Sequence, residues 1–125
     1  LYLSNNPGYT DLIVLHELLE QYDVDLVLQA NFHAYERSKP ITSDGVIMDH
    51  SKCSYIDPKG QIFVTAGTGG HSHIDIKNKS DLFVIQNEND FGFLNLKILE
   101  DKTIVGEFIA NNGKIIDTFE VTKST

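Results

Sequence analysis

The sequence predicts an α/β fold: one helix and one central strand, followed by a mostly antiparallel set of strands. Three observations carry this. A helical period runs through Asp11–Tyr22, an apolar run Val24–Leu28 follows it at once, and five β-prone segments separated by turn residues fill the second half. The length of 125 residues fits a single domain covering 1–125, with no composition shift that would mark a boundary.

In order, Leu1–Thr10 reads as loop, since Asn5, Asn6, Pro7 and Gly8 are turn formers, and Thr10 or Asp11 can cap the helix. In that helix Leu12, Leu15, Leu18, Leu19 and Tyr22 recur at three- and four-residue intervals. They define a core-facing stripe and leave His16, Glu17, Glu20 and Gln21 toward water. Val24–Leu28, interrupted only by Asp25, reads as a strand buried on both faces. Asn31–Asp44 is polar and contains Pro40, so it reads as a long loop. Gln61–Ala66, Asp81–Gln86, Phe91–Leu99, Thr103–Ala110 and Ile115–Val121 read as an antiparallel meander. Its last strand is entered through the hairpin signal Asn111-Asn112-Gly113, and Glu100-Asp101 makes another tight turn.

Composition narrows the function classes. Acidic residues outnumber basic ones 18 to 10, a net charge of −8, which opposes binding to nucleic-acid phosphates or to anionic membranes. No apolar run approaches the ~20 residues of a membrane span. The single Cys53 excludes an internal disulfide and a cysteine-based zinc cluster, and reads as a small buried residue. A start at Leu1 without methionine suggests a piece of a longer chain.

The chemistry concentrates in Asp25-Leu26-Val27-Leu28-Gln29-Ala30-Asn31-Phe32-His33-Ala34-Tyr35-Glu36-Arg37, where the buried strand ends and a polar loop begins. Ligands bind at such carboxyl edges of open α/β sheets. If the strand continues, Asn31 and His33 share a face, and an amide oxygen beside an imidazole suits a divalent metal of intermediate hardness. The plainer alternative makes His33 a hydrogen-bonded loop histidine and pairs Arg37 with Glu36 or a distant acid. Gly67-Thr68-Gly69-Gly70 lacks a P-loop's Lys-Ser/Thr ending, so its glycines read as allowing positive φ and close backbone approach. His71 and His73 could share a face and bind a metal, although no third ligand is near in sequence. His16 and His50 carry no assigned role.

Val24-Asp25-Leu26-Val27-Leu28 with Ala30-Asn31-Phe32-His33-Ala34-Tyr35-Glu36-Arg37 resembles a signature of calcineurin-like metallophosphoesterases, nearest to the purple acid phosphatase branch: V-D-h-V-h-x-G-H-x-H-A-Y-E-R, with h apolar. Gln61–Gly70, Phe91-Gly92-Phe93-Leu94, Gly106-Glu107-Phe108 and Gly113–Phe119 resemble later strands of that branch in the same order. Leu1-Tyr2 and Ser4 look like the end of its H-x-P-h-Y-x-S segment. The resemblance implies part of a layered α/β/β/α sandwich, the C-terminal portion of a phosphohydrolase that acts on phosphate esters with two metals (iron, zinc or manganese). It implies that His33 ligates one metal. Asn31 stands where the other histidine of the motif belongs and is the weaker donor, so the second metal should be weakened or absent. Tyr35 and Arg37 then hold the shape of the site rather than react. The family's D-x-H, G-D-x-x-Y and G-N-H-[DE] elements have no counterpart in this sequence, so the chain itself should be inactive and should expose apolar surface prone to self-association. The branch is commonly secreted, which one cysteine does not decide. Three readings follow: a phosphoesterase segment, a degenerate homologue acting as a structural or interaction module, or an acidic β-rich binding domain unrelated to the family.

Overall fold

The computed structural model describes residues 12–124. The proposed loop before the helix, its cap and the Leu1–Ser4 resemblance lie outside them. The order is α1 (Ile13–Gln21), β1 (Leu26–Gln29), β2 (Tyr35–Ser38), β3 (Ser54–Ile56), β4 (Ile62–Ala66), β5 (Phe83–Asn87), β6 (Gly92–Ile98), β7 (Thr103–Ala110) and β8 (Ile115–Thr122). Two mixed four-stranded sheets result, ordered β1-β4-β2-β5 and β3-β8-β7-β6. β1 runs parallel to β4, and β3 parallel to β8, while the remaining pairs are antiparallel.

Alternation along the strands builds the layers. Ile62 and Val64 of β4 face the second sheet, where they join Tyr35, Tyr55, Phe108, Phe119 and Val121 in the main core. Phe63, between them, faces the opposite side and packs with Phe83, Val27 and Leu82. The His16 ring meets Phe63 edge-on, with centroids 5.0 Å apart, so α1 covers this outer face. The layers are therefore helix, sheet, sheet. At the β7–β8 pairing, Gly106 lies opposite Phe119, and its missing side chain makes room for that ring.

Several expectations change here. The helix is turned: His16 is fully buried, while Leu12, Leu15, Leu18 and Tyr22 are exposed. Polar partners decide this. The His16 Nε2 lies 3.1 Å from the Ile41 carbonyl and 2.9 Å from Gln61 Oε1, and Ser43 Oγ donates to Glu20 at 2.6 Å. The central strand forms, but as a sheet edge, with Leu28 57% exposed. The supposed long loop contains β2, whose four residues are all buried although three are polar. The meander is confined to β6-β7-β8, since β5 pairs with β2. Cys53 is exposed.

Candidate functional site

β1 and β4 are parallel neighbours, so their carboxyl ends open at the same edge, and the loops that follow them meet there. Asn31 adopts φ +74°, which ends the extended run and removes the premise that Asn31 and His33 share a strand face. The Gly67 amide donates to the Ala34 carbonyl at 3.1 Å. A Cβ at Gly67 would overlap the Phe32 carbonyl oxygen, so only glycine lets the two loops close this tightly. Thr68 anchors the far side, donating from its hydroxyl to the Gly92 carbonyl at 3.0 Å and accepting from the Gly92 amide at 3.1 Å.

His33 sits half-buried in this junction. The Ile74 amide donates to its carbonyl at 3.1 Å, and its Nδ1 lies 3.2 Å from the Ser72 carbonyl. The segment after the glycine loop thus wraps around it and brings His71 alongside, with ring centroids 4.1 Å apart. His73 is directed elsewhere: its Nε2 meets the Asp90 carbonyl at 3.1 Å, and its ring packs on Phe91. Asn31 is exposed at the lip. Sequence spacing suggested His71 with His73; the fold pairs His71 with His33, across 38 residues that no local pattern connects.

Tyr35 and Arg37 lie inside the sandwich. The Arg37 guanidinium, 1% exposed, donates from Nε and Nη2 to Asp117 at 2.7 and 2.9 Å, from Nη1 to the Tyr55 hydroxyl at 2.8 Å, and from Nη2 to the Lys52 carbonyl at 2.7 Å. Its carbon stands 4.8 Å from the Phe119 ring centroid. The Tyr35 hydroxyl donates to Asp117 at 2.7 Å, and its ring stacks on Phe108. Burial, reinforced by the Asp117 carboxylate, pushes the Tyr35 hydroxyl far above its ordinary pKa. Burial alone would lower Arg37, but the hydrogen bonds and charge of Asp117 prevail and raise it. These residues hold one sheet against the other.

A dinuclear iron, zinc or manganese centre asks for more donors than this junction offers. No group of three or more His, Cys, Asp or Glu side chains among the described residues could hold a metal ion. The imidazoles of His33 and His71 and the amide of Asn31 do not make a two-metal ligand set.

No family model matches the chain. Its relatives include a probable inactive purple acid phosphatase of Arabidopsis thaliana, 28% identical over 111 residues, covering 87% of this chain and 18% of the relative. Another is the acid phosphatase type 7 of Danio rerio, 29% identical over 118 residues and covering 87% and 26%. The chain thus spans about a fifth to a quarter of these relatives. Among solved structures, a purple acid phosphatase from yellow lupin (Lupinus luteus) seeds superposes with a TM-score of 0.81 at 27% identity, over 93% of this chain and 20% of that one. The inner-membrane-complex anchor GAP50 of Plasmodium shares the fold at 0.71 and 20% identity, over 95% and 32%. Sequence relatives and fold agree: the chain is purple acid phosphatase-like.

Proposed function

We propose that this chain is the segment of a metal-dependent phosphoesterase that supplies one wall of its active site, and that it does not hydrolyse phosphate esters by itself. The observation that carries this is the placement of His33: an imidazole held at the shared carboxyl edge of two parallel strands, against a glycine loop that crosses its backbone. In a complete site His33 would be one metal donor, and the metals would polarise the ester and supply hydroxide. The chain's own contribution is positional. The Gly67–Phe32 approach and the Ile74 amide fix the backbone on both sides of the imidazole, and Phe32 and Ala34 bury the flanks of the loop. The test is direct: the chain, incubated with para-nitrophenyl phosphate and added manganese, zinc or iron, should give no turnover above the metal alone. Turnover abolished by His33→Ala would overturn the reading.

A second reading has specific support. By the family resemblance Asn31 stands where a motif histidine belongs, the Arabidopsis thaliana relative is named a probable inactive purple acid phosphatase, and Leu12, Leu15 and Leu18 on the α1 face are exposed. Together these favour a degenerate homologue retained as an interaction module. In the polypeptide that carries this segment, Asn31→His separates the two: a rise in bound metal from about one to about two per chain supports the phosphoesterase reading. Unchanged metal content supports the module.

A further inference from the structure

His71 offers an imidazole that the family signature does not include, and the structure sets it against His33. The two rings lie with centroids 4.1 Å apart and planes inclined by 42°. Both turn the same atom toward the same acceptor: Nδ1 of His33 is 3.2 Å, and Nδ1 of His71 is 3.3 Å, from the Ser72 carbonyl oxygen. A carbonyl oxygen carries two lone pairs and only accepts, so each Nδ1 is the donor, and in the neutral ring Nε2 is then the nitrogen with a lone pair. Histidines that bind metals are prepared in this way, one ring nitrogen donating to a carbonyl and the other left as the donor to the cation. Two imidazoles on one tetrahedral zinc-class ion, with metal–nitrogen bonds of about 2.0 Å, hold their centroids roughly 5 Å apart. The observed 4.1 Å is about an ångström closer, so the rings part by that much to share an ion. The backbone on both sides is already fixed, by the Ile74 amide on the His33 carbonyl and the Gly67 amide on the Ala34 carbonyl.

We propose that His33 and His71 form a two-imidazole site for a single divalent cation of borderline softness, such as zinc, with Ser72 setting both tautomers. The inference rests on the reading of His33 as a metal donor and adds its partner. It also answers the loss at Asn31: the second imidazole comes from the segment after the glycine loop, and the product is a mononuclear site instead of a bridged pair. Water completes the coordination, and His73, already committed to the Asp90 carbonyl and Phe91, stays outside.

The experiment is zinc titration of the tag-free chain by calorimetry, together with long-range proton–nitrogen NMR of the imidazoles. One equivalent should bind and shift Nε2 of His33 and His71 but not of His73. His71→Ala, at an exposed position, should weaken binding by at least the roughly tenfold that losing even an outer-shell partner costs, and His33→Gln should do the same. His73→Ala should leave the affinity within about twofold, and far-UV circular dichroism checks that each variant is folded. If His33→Gln loses zinc while His71→Ala keeps it, the pairing is wrong but His33 remains a donor. If the wild-type chain binds no zinc, the two-imidazole site is overturned while the role of His33 in a complete site stands. If zinc binds and neither substitution matters, both the pairing and the reading of His33 fall.

Discussion

Replacing Asp117 with asparagine tests what holds the two sheets together. The side chain keeps its volume but loses its charge, and the Arg37 guanidinium, 1% exposed, is left without a counter-ion. Breaking a buried ion pair from one side costs about 3–5 kcal/mol, because the surviving charge remains desolvated. The Tyr55 hydroxyl and the Lys52 carbonyl still accept from Arg37, which places the expected loss near the lower end, about 3 kcal/mol. Domains of this size have roughly 5–15 kcal/mol in total, so the change should be plain in urea denaturation followed by circular dichroism. Removing the stranded charge as well, with Arg37→Met on the Asp117→Asn background, should recover at least about 1 kcal/mol, as apolar replacement of buried ion pairs does elsewhere. A loss below about 1 kcal/mol for Asp117→Asn, or a double variant no more stable than the single one, refutes the account.

Stability should fall as pH rises above about 10, because Tyr35 ionises freely once unfolded, whereas its folded pKa is raised. The sign follows from the direction of the shift: the contribution is complete below the unfolded pKa and disappears as pH climbs toward the folded one. Tyr35→Phe should flatten this alkaline limb in pH-dependent denaturation; an unchanged slope removes the assignment. Gly106→Ala should destabilise by roughly 1–3 kcal/mol by driving a Cβ into the Phe119 ring, which Arg37 covers from another side. Thermal melts would expose the error if the variant matched the wild type. The exposed face of α1 should drive self-association, seen as concentration-dependent sedimentation, and Leu15→Lys with Leu18→Lys should abolish it. A monomer at all concentrations removes that expectation.

The strands with strong local pattern were legible. Thr103–Ala110 and the Asn111-Asn112-Gly113 turn appear where alternation and turn chemistry put them. β2 was not, because the polar run Glu36-Arg37-Ser38 reads as loop until its partners are known: Arg37 meets Asp117, 80 residues on, and Ser38 Oγ accepts from the Phe63 amide at 2.8 Å. The helix was legible in extent and misjudged in rotation. Leu12, Leu15, Leu18 and Tyr22 of its apolar stripe stay exposed, while His16 and Glu20 find hydrogen-bonding partners beneath. At the site, His33 stood out through its place after a buried strand and through the family signature, whereas its contact with His71 depends on the path of a loop that periodicity cannot trace.

The separation between Arg37 and Asp117 has a consequence for synthesis on the ribosome. Strand β2 leaves the exit tunnel some 80 residues before β8, and until then the guanidinium lacks its Asp117 partner. The first sheet can pair its edges early, but it cannot shed water from the face that carries Arg37. Docking of the two sheets is thereby deferred until β8 has emerged, when the Asp117 carboxylate arrives and allows the interior to dry.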